Sequence, residues 1–172
     1  MNPRTLTAVF AAFLVLLALF GFTFWLQSRE AAGPSRSDVG FSSLTEKNVD
    51  RVEVKSPGGK GFILQKSGSA WKSDSHELKT TAVDRFWKAV KGTRVGEVVS
   101  RNKANHSRFE VGEAQAKYII FSRAGKKRAE YFLGKRGLSF ESFYLRLPGS
   151  DEVRQASGDL RTLLDQEPKD WQ

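Results

Sequence analysis

Basic residues form the densest group of chemically useful side chains in the sequence. Four of them crowd one predicted hairpin turn and two crowd the next: Arg123, Lys126, Lys127, Arg128, Lys135 and Arg136. Clustered ammonium and guanidinium groups bind anions, and near an anionic membrane each contributes about 1 kcal/mol. These six residues are therefore the candidate contacts for an anionic surface. The alternative is that they only keep the turns soluble.

The residues that catalysis or metal binding would need are scarce. The chain has no cysteine, which excludes disulfides, thiol catalysis and cysteine-ligated zinc or iron–sulfur sites. Its two histidines, His76 and His106, both lie in predicted loops, and we interpret them as surface residues rather than metal ligands. We therefore predict no catalytic residue, no bound metal and no cofactor.

Two other arrangements resemble functional motifs. The segment Gly58-Gly59-Lys60-Gly61 lies in a predicted hairpin turn and lacks the spacing of a phosphate-binding loop. The carboxylate pairs Glu110 with Glu113 and Asp151 with Glu152 lie in a connection and beside a turn. Glycosidase chemistry needs carboxyl groups that face each other across a cleft. We interpret these four residues as solvated charges.

The overall charge indicates anionic neighbours. The chain carries 28 basic and 19 acidic residues, a formal net charge of +9. A basic domain favours lipid head groups, anionic envelope polymers or an acidic protein partner. Binding to nucleic acid is not predicted, because the aromatic residues occupy core-facing spacings instead of alternating with the cations.

An uncharged segment near the start of the chain predicts a membrane anchor. Residues 5–27 contain no charged side chain, and at 1.5 Å per residue they are long enough to cross the roughly 30 Å hydrocarbon core. Trp25 and Arg29, at the downstream end, are the predicted membrane-interface anchors. A cleaved signal peptide is the alternative, because small residues follow at 31–33.

These features predict a single-pass protein of the bacterial inner (cytoplasmic) membrane. Residues 1–27 are the short tail and signal-anchor helix, residues 28–44 are a flexible Ser-, Gly- and Ala-rich linker, and residues 45–172 are a basic domain. The positive charges flanking the anchor are nearly balanced. We place the domain outside the cytoplasm because a signal-anchor usually translocates the segment downstream of it.

The first half of the domain predicts a meander of short strands followed by a helix. Residues 49–55 alternate, with Val52 and Val54 on one face, and strands 61–66 and 70–72 follow after turns. A helix then begins at an N-cap Thr81 and ends at Gly92. Four residues form its apolar face: Val83, Phe86, Trp87 and Val90.

The second half repeats this order. A further strand at 96–100 and an irregular connection at 101–115 precede four predicted strands, at 117–123, 128–133, 142–147 and 152–156. In the third of these, Phe143, Leu145 and Leu147 point inward, whereas Tyr144 and Arg146 point outward. A short helix follows Asp159. The fold class is therefore α+β, with antiparallel β-meanders each closed by a helix, a weak ββββα-like repeat.

The order of these segments resembles the domain of unknown function 4340 family. The resemblance covers most of residues 45–165 and rests on seven short segments: Val52-Glu53-Val54, Gly61-Phe62-Ile63-Leu64, Trp71, Arg108-Phe109-Glu110-Val111, Phe132-Leu133-Gly134-Lys135, Tyr144-Leu145-Arg146 and Val153. Arg154 departs from the family pattern, which usually has an aromatic residue there. Many members are also much longer.

The resemblance implies a function without naming an activity. Members look like single-span envelope proteins, and many are encoded beside an ABC-type transport system of the gliding-motility type. No catalytic residues are established for the family. We therefore expect a non-catalytic accessory or scaffold component of an ABC-type transport complex. The alternatives are a binding module for anionic envelope polymer or lipid head groups, and an enzyme of unrecognised type.

Overall fold

The computed structural model describes residues 40–59, 61–166 and 171. Nine strands and two α-helices lie in these ranges: β1 (Arg51–Lys55), β2 (Gly61–Ser67), β3 (Ala70–Ser73), β4 (His76–Glu77), α1 (Thr80–Gly92), β5 (Arg94–Ser100), β6 (Lys117–Arg123), β7 (Lys126–Arg136), β8 (Ser142–Arg146), β9 (Val153–Ser157) and α2 (Leu160–Leu163). Short 3₁₀ helices occupy Phe41–Ser43 and Lys103–Asn105. The predicted anchor, with Trp25 and Arg29, lies outside the described residues.

All nine described strands belong to one sheet. Their order is β4-β3-β2-β1-β6-β7-β8-β9-β5, and every neighbouring pair is antiparallel. Two four-stranded meanders, β1–β4 and β6–β9, meet where β1 pairs with β6. Each meander is followed by a helix. The mainly antiparallel sheet with two helices agrees with the predicted α+β class.

The strands alternate between a buried face and an open one. Val52 and Val54 are buried in the core on β1, as predicted, and on β6 Ile119 and Phe121 occupy the same face. The intervening residues, such as Glu53, point to the opposite face and remain half-buried or exposed. One face of the sheet therefore carries most of the apolar burial that stabilises the domain.

Helix α1 covers this apolar face. Its four predicted core residues, Val83, Phe86, Trp87 and Val90, are all buried. Phe86 packs on Phe121 of β6 and on Trp171, with ring centroids 6.5 Å and 5.9 Å apart. The predicted N-cap is wrong: the helix begins at Thr80, and its N-cap Lys79 makes no side-chain capping bond. Docking of the apolar face stabilises this helix end without a capping side chain.

The packed domain begins upstream of the predicted boundary at residue 45. Phe41 and Leu44, which the sequence analysis placed in the linker, are buried in the core. The Phe41 ring stacks on Tyr131 of β7 with centroids 4.1 Å apart. Serine and glycine around these residues suggested a tether, and the two isolated apolar residues were the only local signal of packing.

The connection between β5 and β6 packs on the opposite face of the sheet. Its Val111 is fully buried, and the backbone N–H of Lys135 donates to the carbonyl of Phe109 over 3.1 Å. Gly134 permits this close approach, because a Cβ atom there would lie 2.2 Å from the Phe109 oxygen. The segment predicted as an irregular connection is therefore a cover for the β7–β8 part of the sheet.

Candidate functional site

The six predicted surface cations lie in and beside a single long strand. The hairpin turn is Ala124-Gly125, and β7 begins at Lys126 and ends at Arg136. The prediction that Lys135 and Arg136 occupy a second turn is wrong, since both belong to β7. At about 3.3 Å per strand residue, the two groups of cations are roughly 30 Å apart. The structure therefore divides the predicted patch into two ends.

At the turn end, half of the cations are already occupied. Arg123 donates from Nη1 to the carbonyl of Lys47 over 2.8 Å, and Lys127 forms a salt bridge with Glu130. Two cations of this end are exposed and form neither an ion pair nor a side-chain hydrogen bond among the described residues: Lys126 and Arg128. They remain available for an external anion.

At the other end, one carboxylate gathers three cations. Asp165 forms salt bridges with Lys117 at 2.9 Å, with Arg136 at 3.3 Å and with Arg161. Burial raises the pKa of the Asp165 carboxyl, but hydrogen bonds and charge from Lys117 and Arg161 outweigh burial, so its pKa lies below its ordinary value. Three positive charges around one negative charge leave this group, the Asp165 cluster, with a net charge of +2.

The open face of the sheet presents a row of alternating apolar and acidic residues. Register pairs place Ile63, Glu53, Ile120 and Glu130 side by side on β2, β1, β6 and β7. All four side chains are half-buried. We call this four-residue row, which faces away from α1, the open face.

Both acids of the open face are neutralised by neighbours. Glu53 forms salt bridges with Lys55 at 3.2 Å and with Arg51 at 3.9 Å. Glu130 accepts hydrogen bonds from the Tyr118 hydroxyl and from Lys127. Burial and the bond to Glu130 raise the pKa of the Tyr118 hydroxyl far above its ordinary value, so the tyrosine stays a neutral donor. Burial raises the pKa of the Glu130 carboxyl, but the hydrogen bonds from Lys127 and Tyr118 outweigh burial, so its pKa lies below its ordinary value.

A stack of three side chains crosses the open side of the sheet beside this row. Tyr118 stacks on Phe132 with ring centroids 4.6 Å apart, and the Arg146 guanidinium carbon lies 4.3 Å from the Phe132 centroid. Tyr118 and Phe132 line a cleft of about 370 Å³, together with Lys55 and Glu113. The lining of the cleft thus combines two aromatic rings with one positive and one negative charge.

The predicted orientation of Arg146 is wrong. Arg146 was predicted to point outward, yet it is only 6% exposed. Its Nε donates to the Val111 carbonyl over 2.9 Å, and its Nη1 donates to the Ser150 carbonyl over 3.2 Å. The connection after β5 covers the side of the sheet on which Arg146 lies. The alternation within β8 could not show this, because the covering segment is distant along the chain.

The two histidines have different environments. His76 is exposed on β4, whereas His106 is buried, with Nε2 3.1 Å from the carbonyl oxygen of Asp151. The prediction that His106 is a surface loop residue is therefore wrong, since it ties two connections together. Across the described ranges, no group of three or more His, Asp or Glu side chains could hold a metal ion.

One carboxylate of the pairs noted in the sequence, Glu152, is held by two arginines. Glu152 forms salt bridges with Arg101 at 3.2 Å and with Arg154 at 2.9 Å. Glu110 adopts a positive φ of 55° within the covering connection. The two arginines therefore neutralise the charge of Glu152.

The longer of the two described α-helices, α1, has 13 residues. None of the helices within residues 40–59, 61–166 and 171 is both long enough and apolar enough to cross a bilayer. The predicted anchor and its interface residues, Trp25 and Arg29, precede these ranges.

Comparison with known proteins identifies the family. A family model whose description reads "Domain of unknown function (DUF4340)" matches residues 77–172, more than half of the 172-residue chain. The match includes α1, the five strands β5–β9 and α2, and therefore both ends of the cationic strand. No curated protein and no solved structure matches the chain. The chain therefore belongs to the DUF4340 family.

Proposed function

We propose that this chain is a non-catalytic, membrane-anchored envelope protein that serves as an accessory or scaffold component of an ABC-type transport complex. The observation that carries the proposal is the open face, a half-exposed strip of sheet whose charges are already neutralised. Surfaces with few unpaired charges and some apolar area are typical of the centres of protein interfaces. The transport complex is suggested by the family resemblance.

The open face is suited to docking in its chemistry as well as in its position. Ile63 and Ile120 supply apolar area, while Glu53 and Glu130 have their charges matched within the domain. A partner can cover such a strip without stripping water from an uncompensated charge, which is the costly step in burying ions. The partner of the open face in this proposal is a membrane subunit of the transporter.

The anchor in this proposal is the uncharged segment 5–27, a transmembrane helix that precedes the α+β domain. Trp25 and Arg29 would lie at the interface, with the domain on the extracytoplasmic side of the bacterial inner membrane. An anchor concentrates the domain beside membrane subunits, so a modest affinity of the open face would be sufficient for assembly.

A second candidate function is binding of an anionic envelope polymer. The observation that favours it is the exposure of Lys126 and Arg128 without ion-pair partners in the described chain. Such binding weakens as salt increases, because it depends on exposed charges. Binding of a purified anionic polymer that is indifferent to salt, or to replacement of both residues by Ala, would rule this candidate out.

Affinity purification in mild detergent tests the accessory function. We expect the tagged full-length chain to recover an ABC-type ATPase and its membrane subunits. Ile120→Lys on the open face should abolish the recovery. The matched control Val99→Lys changes another partly exposed β-branched residue, on edge strand β5, and should leave the recovery intact.

Replacement of residues 1–27 by an unrelated transmembrane helix separates the two parts of the protein. Retained recovery of the subunits assigns recognition to the domain, whereas lost recovery with an intact open face assigns it to the native anchor. Recovery of the chain alone, from membranes that contain the transporter, would overturn the accessory function. A saturable chemical conversion by the purified chain would revive the enzyme alternative.

A further inference from the structure

The loop between β7 and β8 presents two large apolar side chains to solvent. Leu138 is 101% exposed and Phe140 is 76% exposed, whereas the next most exposed large apolar residue of the described chain, Val99, is 39% exposed. A single exposed apolar residue is ordinary, whereas grouped exposed apolar residues are typical of interaction sites. We call residues 137–141 the tip loop.

The tip loop is held in shape by hydrogen bonds. The buried Ser142 hydroxyl accepts from the N–H of Ser139 over 3.1 Å and donates to the Ser139 carbonyl over 3.0 Å. Gly137 donates to the Ser142 carbonyl over 2.8 Å, and Gly158 donates to the Glu141 carbonyl over 2.9 Å. These bonds fix the loop while leaving both apolar side chains in water.

Two consecutive cations, Lys135 and Arg136, lead into the tip loop. The Arg136 guanidinium carbon lies 5.3 Å from the Phe140 centroid, and the same group binds Asp165. The loop therefore adjoins the Asp165 cluster, whose net charge is +2. Lys135 adds another cation next to Arg136, and Glu141 is the one acidic residue within the segment 135–141.

We propose that the tip loop is a membrane contact, in which Leu138 and Phe140 enter the interface of an anionic bilayer while the neighbouring cations bind lipid phosphates. Apolar residues flanked by cations match the layering of a bilayer, where anionic head groups lie above hydrocarbon. The opposite end of β7 has the cations Lys126 and Arg128 but only the small turn residues Ala124-Gly125. The combination of charge and apolar area exists at the tip end.

Chain length makes this contact accessible. Thirteen residues, 28–40, separate the uncharged segment from the buried Phe41, and fully extended they reach about 45 Å. The domain thus remains close to the bilayer in which that segment inserts. The inference rests on the anchoring part of the proposed function and does not depend on the transport-complex partner.

Site-specific labelling of the full-length chain tests the contact. Because the chain has no cysteine, Ser139→Cys places a single polarity-sensitive fluorophore in the tip loop without altering Leu138 or Phe140. Ser69→Cys is the matched control, since Ser69 is also an exposed hairpin serine but lies at the opposite end of the sheet. Both proteins are reconstituted into vesicles of phosphatidylglycerol with phosphatidylcholine, or of phosphatidylcholine alone, containing a brominated-lipid quencher.

We expect quenching of the label at 139 in anionic vesicles to exceed that at 69 several-fold. Leu138→Ser with Phe140→Ser should remove this difference. Lys135→Ala with Arg136→Ala should reduce it at least five-fold, because each cation near an anionic surface changes binding by about that factor. Lys126→Ala with Arg128→Ala removes the same charge from the opposite end and should leave quenching unchanged.

The outcomes separate this inference from the anchor. If the chain floats with vesicles but the label at 139 is not quenched, the anchor stands and the membrane contact is wrong. If the chain does not float, both are wrong. Equal quenching at 139 and 69 also overturns the contact. If the label at 139 is shielded from aqueous iodide only after a co-purified protein is added, the tip loop is a protein contact instead.

Discussion

The Arg146 guanidinium lies over the ring of Phe132, 4.3 Å from its centroid, at a position where the two residues are register partners on β8 and β7. The contact explains how an arginine is buried with no carboxylate hydrogen-bonded to it among the described residues. The aromatic face and the carbonyls of Val111 and Ser150 replace its water. Burial lowers the pKa of Arg146 from its ordinary value, while Glu113 and Asp151 oppose that shift.

Arg146→Met should destabilise the domain by about 3 kcal/mol. The substitution retains much of the apolar volume but leaves the Val111 carbonyl without its donor, and unsatisfied buried groups cost about 1–3 kcal/mol each. The change is measured by denaturant unfolding of the detergent-solubilised chain, followed by the fluorescence of its buried tryptophans. Arg94→Met, at an exposed position on β5, is the control and should change stability by less than about 0.5 kcal/mol. Equal stabilities for the two variants would show that Arg146 is not a structural clamp.

Gly134→Ala should destabilise the domain by at least about 2 kcal/mol. The added Cβ would meet the Phe109 carbonyl oxygen at 2.2 Å and the Val111 Cγ1 at 2.7 Å, so the covering connection would have to move. The same substitution at Gly92, the last residue of α1, meets nothing within 4 Å. Gly92→Ala should be neutral or stabilise by about 0.5 kcal/mol, because alanine favours helix. Two variants with similar unfolding midpoints would contradict the close packing at Gly134.

The Asp165 cluster predicts a loss of stability in acid. The folded-state pKa of Asp165 lies below its ordinary value, so the ionised carboxylate stabilises the fold above the unfolded pKa of about 4. That stability disappears as pH falls through the folded pKa. Asp165→Asn should therefore lower the free energy of unfolding by about 1 kcal/mol at pH 7, the range of partly exposed ion pairs. The difference from the parent chain should vanish at lower pH.

Urea unfolding at a series of pH values between about 2 and 7 checks this expectation. Asp84→Asn, on the exposed side of α1, provides an acid-to-amide control outside any observed salt bridge in the described chain. A stability gap between Asp165→Asn and the parent chain that persists undiminished at the acid end of the series would mean that packing, and not the carboxylate charge, stabilises the cluster.

Local periodicity was enough to predict the class of fold and most elements. Alternation placed Val52 and Val54 in the core, and the spacing of Val83, Phe86, Trp87 and Val90 identified the buried face of α1. These signals succeed because a sheet face or a helix stripe that packs must be apolar at a regular period. The family resemblance was confirmed over residues 77–172, which contain four of the seven segments that carried it.

Features formed by segments that are distant along the chain could not be predicted from local sequence patterns. Arg146 alternates as an outward residue, and only the connection that includes Val111 buries it. Lys135 and Arg136 were assigned to a turn because Gly134 resembles a strand end, whereas β7 continues through this glycine. The local signal of the exposed pair is that Leu138 and Phe140 alternate with small residues, Gly137 and Ser139. The same alternation is compatible with a buried strand end.

The upstream limit of the folded domain gives the last prediction. Phe41 is 2% exposed and stacks on Tyr131, so Phe41→Ala removes a core ring and should cost about 3–4 kcal/mol, with part of the cost due to the cavity left behind. Phe140→Ala removes the same ring from a side chain that is 76% exposed, and should change stability by less than about 0.5 kcal/mol. Unfolding followed by tryptophan fluorescence compares the two variants under one condition. A similar small effect for both variants would show that residue 41 belongs to the linker. A large effect for Phe41→Ala alone would show that the folded domain begins upstream of Thr45. The same comparison also shows whether the apolar tip loop can be altered without loss of the fold, because a contact that serves binding and not folding leaves the free energy of unfolding unchanged.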